Sequence, residues 1–422
     1  MKPNKILSPQ FEFRVLLLES VFAALANRAL TVVIGYQIYS LTKNPLSLGF
    51  LGLVEAIPAL SLALFGGHVA DRSDRRKIVL MARAVGVACI VAFGVFSLEP
   101  QRFGLLAMYA VVFVAGLARG FGDPAASAFE AQVIPQASFV RSSAVLSSVQ
   151  QGSSILGPAL GGIAYDALGV TATYGLIAGL LGLSWLCIAS LSSKPVPVPD
   201  EGESIWQSIS EGVRYVFANQ VLVGSMALDL IAVLFGGAVA LLPIFANDIL
   251  HVGARGLGLL SASTSIGTLL VMLIATRYPP TRMAGRNLML AVAGFGCSII
   301  LFAFSRNLWL SMFALALSGA FDGVSMIIRS AIQRVMSPEH MRGRIAAVTW
   351  IFIGSSNEIG AFESGFAASL LGVVRSVWIG GLVTLGVVGA SAILAPQLRD
   401  LRLTDDLSDK FPATTLAFET DG

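Results

Sequence analysis

Gly67-His68-Val69-Ala70-Asp71-Arg72-Ser73-Asp74-Arg75-Arg76-Lys77 places seven ionisable side chains among eleven positions, wedged between two long apolar runs. Leu46–Gly66 precedes it and Ile78–Leu98 follows it. At about 1.5 Å per helical residue, either run is long enough to cross about 30 Å of hydrocarbon. The charged stretch therefore reads as a short, wet hairpin between two membrane helices. Its four cations, Arg72, Arg75, Arg76 and Lys77, hold it on the cytoplasmic side, because positively charged loops resist translocation.

Composition agrees with this reading. A chain of 422 residues with 55% hydrophobic and 13% charged residues and a mean hydropathy of +0.78 cannot cover itself with a polar surface in water, so it is read as an integral membrane protein. A net charge of +3 is too small and too dispersed for a nucleic-acid partner. Cys89, Cys187 and Cys297 all fall in apolar runs and read as small apolar fillers. His68, His251 and His340 lie on three separate loops without metal-ligand spacing, so neither a metal nor a cofactor is expected. At the N-terminus, Lys2 and Lys5 followed by an apolar run and Ala24-Leu25-Ala26 imitate a secretory signal. Glu19 interrupts that run and hydrophobicity resumes past Arg28 to Tyr39, which predicts an uncleaved first span.

Apolar runs bounded by charges, Pro or Asn predict an all-α membrane protein with twelve transmembrane helices. They cover roughly residues 14–41, 45–69, 78–98, 103–128, 139–165, 169–192, 221–246, 256–277, 285–305, 308–330, 343–369 and 374–396. An even number puts both termini on one side. About 18 of the 28 basic residues fall on the loops and tails of that side, and about five on the opposite loops, which predicts cytoplasmic termini. The midpoint, Lys194-Pro-Val-Pro-Val-Pro-Asp-Glu-Gly-Glu203, suits neither helix nor bilayer. Beyond it, Ser204 and Gln207 have capping-box spacing, and Ile205, Ile209, Val213, Val216 and Phe217 recur at helical spacing. Two readings stand for this segment: an amphipathic helix on the inner membrane face, or an extension of span 7. The expected organisation is a six-helix bundle over 1–193, a cytoplasmic linker over 194–220, a second six-helix bundle over 221–398 and a cytoplasmic tail over 399–422. A faint internal repeat supports the two halves: Gln132-Val133-Ile134 before Arg141 matches Arg334-Val335-Met336 before Arg342. Gly152, Gly157 and Gly162 likewise match Gly354, Gly360 and Gly365.

Read as Gly-x-x-x-Asp-Arg-x-x-Arg-Arg, the opening hairpin resembles the loop joining helices 2 and 3 in the major facilitator superfamily of secondary transporters, with Asp74 where glycine is commonest. The resemblance runs from Phe13-Arg14 to Pro396. Asn44-Pro-Leu-Ser-Leu-Gly49 and Met341-Arg342-Gly343-Arg344 add a likeness to the subset that contains the enterobactin exporter and the macrolide efflux proteins. It implies two pseudo-symmetric six-helix bundles, with Gly67, Asp71, Arg72, Arg75 and Arg76 forming a gating loop. In the implied mechanism this loop bridges to the other half in the outward-open state and releases when the protein turns inward. Its counterpart, Arg277-Tyr-Pro-Pro-Thr-Arg282-Met-Ala-Gly-Arg286, has lost the acidic residue, so gate control is expected to differ between halves. In span 5, Gly152-Ser-Ser-Ile-Leu-Gly157-Pro158-Ala-Leu-Gly161-Gly162 has almost no side chains on one face and a helix weakness at Pro158. It resembles the family's antiporter motif, with Ser153 at the first glycine, and this implies export.

Charges inside the spans are the remaining signal, since an ionisable group in lipid is costly without a partner or a wet cavity. Arg119 and Asp123 stand one turn apart in span 4, and two readings apply: a structural ion pair or part of a proton relay. Arg28 in span 1 and Glu55 in span 2 fall near mid-membrane, where adjacent antiparallel helices would pair them. Asp322 and Glu358 lie at comparable depth in the second half. Burial makes the charged form of a carboxylate costly, so such a group can take and release a proton. Glu55, Asp322 and Glu358 are accordingly the coupling candidates, with Arg119 and Asp123 beside them. Arg28, Glu55, Asp322 and Glu358 are the candidates for the substrate cavity.

The resulting expectation is a proton-coupled exporter of small amphipathic organic molecules, a drug or siderophore, acting as a monomer in a bacterial inner membrane by alternating access. A lipid or lysolipid transporter or a metabolite importer of the same fold is the alternative, and a non-transporting sensor or scaffold the third. An enzyme is not expected, because the mid-membrane polar residues hold no nucleophile–base set. No Walker loop points to direct use of ATP.

Overall fold

The computed structural model describes residues 9–134, 138–196, 205–338 and 341–403, and these residues contain helices and no strand. The first half comprises α1 (Pro9–Thr42), α2 (Pro45–Arg72), α3 (Arg75–Phe96), α4 (Pro100–Val133), α5 (Phe139–Leu168) and α6 (Val170–Ser190). A connecting helix, α7 (Ile205–Ala218), leads to α8 (Gln220–Phe235) and a short α9 (Leu242–Ile244). The second half continues with α10 (Gly253–Arg277), α11 (Ala284–Phe304), α12 (Leu308–Met336), α13 (Arg342–Leu371), α14 (Val373–Leu394) and α15 (Pro396–Arg399). Among the described residues, ten helical segments are long and apolar enough to cross a membrane, α8 and α9 together forming one of them. The other two expected spans fall on α5 and α13. Each is a 30-residue helix in the bundle, in which α5 carries ten Gly and Ser residues and α13 eight, with four charged residues.

Local chemistry explains where several helices begin. Asn44, Asn219 and Asn307 are N-caps whose side chains accept from the free amides of the first turn, at 3.0 Å for Leu46 N and 2.8 Å for Trp309 N. Three expectations need correction. The charged stretch is largely helical rather than a loop: α2 runs to Arg72 and α3 begins at Arg75, leaving Ser73-Asp74 as the turn. His68–Arg72, four residues apart, supports the continuation of α2, and Asp71–Arg75 bridges the turn from α2 to α3. Span 7 is broken: after Gly236-Gly237 the chain passes through a 3-10 turn (Ala238–Leu241), α9 with Pro243, and a π turn (Phe245–Ile249). The tail does not leave the protein at 399, since Leu398, Leu401 and Leu403 are buried against the start of α11.

In the first bundle α1 packs on α5 and α6, α2 on α4, and α3 on α4 and α6. In the second, α8 packs on α13 and α14, α10 on α12, and α11 on α12 and α14. The halves meet where α5 lies on α10 and where α2 lies on α13. Glycine makes both seams. A Cβ at Gly162 would come within 3.0 Å of Gly258 Cα and closer still to the Ala254 carbonyl, and one at Gly365 would lie 2.9 Å from Gly49 Cα. The repeat is thereby explained: Gly157 and Gly360 each seat their helix on α1 or α8 of their own half, while Gly162 and Gly365 each face the other half. Gly152 and Gly354 do not share a role, since Gly152 has open space beside it and Gly354 meets Leu60.

Ser204 lies outside the described residues, but α7 forms as a helix, and Val216 is buried with Ile345 and Val348 of α13. Tyr215 donates to Met336 O at 2.7 Å, and Glu211 pairs with Arg344, so α7 is tied to the second bundle.

Candidate functional site

A cavity of about 620 Å³ opens inside the first bundle, lined from α1 to α6 and holding Arg28, Glu55, Arg83, Arg119, Asp123 and Glu130. The expected pairing of Arg28 with Glu55 does not occur. Glu55 binds Arg119 through a short ion pair, and Arg119 Nε also lies 3.4 Å from Asp123 Oδ2. The cause is backbone packing: a Cβ at Gly116 would stand 2.5 Å from the Glu55 carbonyl, and one at Gly120 2.8 Å from Leu62 Cβ. These two glycines, four residues apart on α4, let α4 rest directly on α2. Neighbours in sequence are therefore not the neighbours in space.

Glu358 joins the same cluster from the other half. A Cβ at Gly52 would meet Glu358 Oε2 at 3.0 Å, which places this carboxylate against the α2 backbone about one turn from Glu55. It lies within electrostatic reach of both Glu55 and Arg119. One guanidinium thus stands among three carboxylates, two on the first half and one on the second. Asp322 is elsewhere. With Asp229 and Arg329 it lines a smaller chamber of about 190 Å³ in the second bundle. Arg329 Nη1 lies 2.5 Å from Asp229 Oδ2, and its Nη2 lies 3.9 Å from Asp322 Oδ1.

Sequence reasoning did not single out Arg329, although it stands seven residues after Asp322 and so shares its helix face. It also missed the Glu19 pair. Arg83 donates to Glu19 Oε1 from two nitrogens, at 3.3 and 3.1 Å, and Ser184 donates to the same oxygen at 2.9 Å. Glu19 is buried, so the carboxylate that interrupts the first apolar run is the centre of an α1–α3–α6 tie. No spacing rule links residues 19, 83 and 184.

The hairpin cations bond within their own half. Arg75 pairs with Asp71 at 2.9 Å and donates to the carbonyls of Ala70 and Ala128, at the ends of α2 and α4. Arg76 donates to the last carbonyls of α6, Ile188 and Ala189, the first at 3.1 Å. The carbonyls of Ala70 and Ala189 are among those a helix leaves free at its C-terminus, and all four contacts place a cation near a helix C-terminus, where the helix dipole favours it. Arg72 lies against His68, Gly67 has open space beside it, and Asp74 accepts from Ser193 at 2.9 Å, tying the turn to the end of α6.

The bonds between halves lie elsewhere. On the face opposite the hairpin, Tyr39 donates to Asp248, Lys43 Nζ lies 3.5 Å from Asp248 Oδ1, and Tyr36 donates to Asn247 Oδ1 at 3.1 Å. Gln151 donates to Ser265 O at 3.1 Å at mid-depth. The Gly-Pro motif supports this closure: Gly157 and Gly161 rest on α1 around Arg28 and Ala29, while Pro158 O and Gly162 meet Gly258 of α10. This is the arrangement of a protein closed on the far face, with Arg75 and Arg76 turned to their own bundle on the hairpin face.

A bundle of two pseudo-symmetric halves that closes on one face over a charged interior cavity defines a membrane transporter. Residues 16–361 match the model of the Major Facilitator Superfamily, and the chain belongs to that family. Its relatives include the enterobactin exporter EntS of Salmonella choleraesuis, 25% identical over 94% of this chain and 95% of that protein, and EntS of Citrobacter koseri, 24% identical over 95% of each. These relatives are transporters, not enzymes. Solved structures of the same fold include the nucleoside transporter NupG, with a TM-score of 0.71 and 15% identity over 92% of this chain and 98% of that one. A bacterial homologue of the human lysosomal transporter Spinster, in an inward-facing and unoccupied conformation, gives a TM-score of 0.69 and 13% identity over 98% and 100%.

Proposed function

We propose that this transporter is a proton-coupled exporter of small amphipathic organic molecules, a drug or a siderophore, that works by alternating access as a monomer. The observation that carries the reading is the Arg119 cluster. Two carboxylates, Glu55 and Asp123, pair with one guanidinium beside a cavity, and a third, Glu358, stands within electrostatic reach of it from the opposite half. With more carboxylates than cations, the cluster can take a proton, and neutralising Glu358 removes both its repulsion from Glu55 on α2 and its attraction to Arg119 on α4. Protonation is thereby coupled to the seam on which the halves rock.

The two halves are residues 1–193 and 221–398, joined by a linker over 194–220. With the basic hairpin face in the cytoplasm of a bacterium, both termini are cytoplasmic, twelve helices cross the inner membrane, and the conformation described is inward-facing. The EntS relatives, named for export of enterobactin, support outward transport of a siderophore or a molecule of similar chemistry. Asp322, with Asp229 and Arg329, forms a second charged site within the second bundle.

Reconstitution tests the proposal. Purified protein in liposomes should move a substrate found by a drug and siderophore accumulation screen faster when a pH gradient opposes the substrate flux. Equal rates with and without the gradient would remove proton coupling. Nutrient uptake by right-side-out vesicles would replace export with import.

A further inference from the structure

We propose that Arg28 is an anion-recognition residue of the first-bundle cavity, and that the molecules held there present a carboxylate or another compact oxyanion beside an apolar body. The inference rests on the transport reading and adds a substrate class to it.

Three guanidinium groups line the cavity, and two are satisfied by the protein. Arg83 is held by Glu19, and Arg119 by Glu55 and Asp123. Arg28 has neither an ion pair nor a hydrogen bond among the described residues, and the charged neighbour that acts on it most strongly is Arg119, another cation. The carboxylates facing the cavity do not compensate it. Glu55 and Asp123 are taken by Arg119. Glu130, three residues before the end of α4, stands toward the hairpin face, where its charged neighbours are Glu19 and Arg83. A guanidinium is charged at every physiological pH, and an uncompensated one inside a membrane protein is costly. A ligand anion would supply the missing partner.

The local backbone presents Arg28 to the cavity. A Cβ at Gly157 would lie 2.5 Å from Arg28 Cβ, so the base of this side chain rests directly on the α5 backbone and cannot withdraw in that direction. Asn27 and Thr31, exposed on the same part of α1, stand beside it. Leu30, Leu51, Phe93 and Val112 supply an apolar wall. The combination fits an amphipathic anion: the planar fork of a guanidinium binds a carboxylate through two parallel hydrogen bonds, and the wall takes the body of the molecule. The volume of about 620 Å³ lies within the range of sites for drug-sized ligands.

The test uses the full-length protein purified in detergent, with dansylglycine as the carboxylate probe and dansylglycinamide as its uncharged counterpart, read by dansyl fluorescence. Wild type should bind the carboxylate roughly tenfold more tightly than the amide, as expected for a charge-assisted bidentate contact. R28Q should lose that preference, and R28K should keep a smaller one, because a lysine retains the charge without the fork. Size-exclusion profiles and melting curves show whether each variant is folded, and the wild-type comparison needs no variant at all. Equal binding of both probes by wild type, an unchanged preference in folded R28Q, or no carboxylate binding up to about millimolar concentration would each overturn the inference. Transport driven by a pH gradient without any carboxylate preference would sink the substrate class and leave the exporter reading intact. A carboxylate preference that depends on Arg28 in a protein indifferent to the gradient would do the reverse.

Discussion

Replacing Asp248 with Asn removes the charge that ties the far-face end of α1 to the π turn while preserving the shape of the side chain. Asp248 accepts from Tyr39 and lies 3.5 Å from Lys43 Nζ. The Lys43 and Asp248 side chains are 54% and 42% exposed, so their ion pair contributes between about 0 and 1 kcal/mol. A hydrogen bond to a charged acceptor contributes about 1.5–3 kcal/mol and a neutral one about 0.5–1.5, so exchanging carboxylate for amide costs the Tyr39 contact about 1 kcal/mol. Together the losses come to about 1.4 kcal/mol, which changes a two-state ratio about tenfold. Because these bonds join the two halves on one face only, D248N should shift the population toward the state open on that face. Spin labels at Leu168 and Trp309, exposed residues near the far-face ends of α5 and α12, report the separation by double electron–electron resonance. The background requires replacement of Cys89, Cys187 and Cys297. The long-distance fraction should rise about tenfold relative to the short one, and Y39F should act in the same direction without adding fully to D248N, since both remove one contact. An unchanged distance distribution in D248N would refute the assignment of Asp248 as a latch.

Other substitutions test the remaining parts of the fold. G162A forces α5 and α10 apart, because its Cβ would come within 3.0 Å of Gly258 Cα. It should open the far face in the same spin-label assay, whereas G152A, placed in open space, should not. R329Q leaves the Asp229 carboxylate, 9% exposed, without its cation, and should destabilise the second bundle by about 3–5 kcal/mol. A lowered melting temperature that D229N partly restores checks this. R76A removes the donor to the Ala189 carbonyl and one of the two donors to that of Ile188, which still accepts from Leu191 N, and should cost about 1–3 kcal/mol, while R72A, an exposed side chain on a helix end, should stay within about 0.5 kcal/mol of wild type by the same measurement. E358Q should abolish the response to a pH gradient in liposomes while substrate exchange at equal pH continues. A retained response would remove Glu358 from proton coupling.

Much of the architecture is legible in the chain itself because lipid is an unforgiving solvent. A backbone crossing hydrocarbon must satisfy its own hydrogen bonds, so long apolar runs have to be helices and charged runs have to mark their ends. The Gly67–Lys77 stretch therefore announced two helices and a turn, although the turn proved to be only Ser73-Asp74. The interruption of span 7 at Gly236-Gly237 was visible as residues and not as a consequence, since a glycine pair bends a helix only when its neighbours give the freed groups somewhere to go.

The site followed a different rule. Composition and spacing picked out Arg28, Glu55, Arg119, Asp123, Asp322 and Glu358 as costly charges, because burial penalises each residue one at a time. Which charge meets which was decided by helix neighbours in three dimensions: Gly116 and Gly120 deliver Arg119 to Glu55, Gly52 admits Glu358 from the other half, and Arg28 is left facing the cavity with a cation nearby. Helices adjacent in sequence need not be adjacent in space, and Coulomb attraction acts over ångströms rather than along the chain. The sequence by itself determined that the protein lives in a membrane and which residues it keeps there at a cost. Only the tertiary structure decided their partners, because pairing depends on the close approach of backbones that are far apart in sequence.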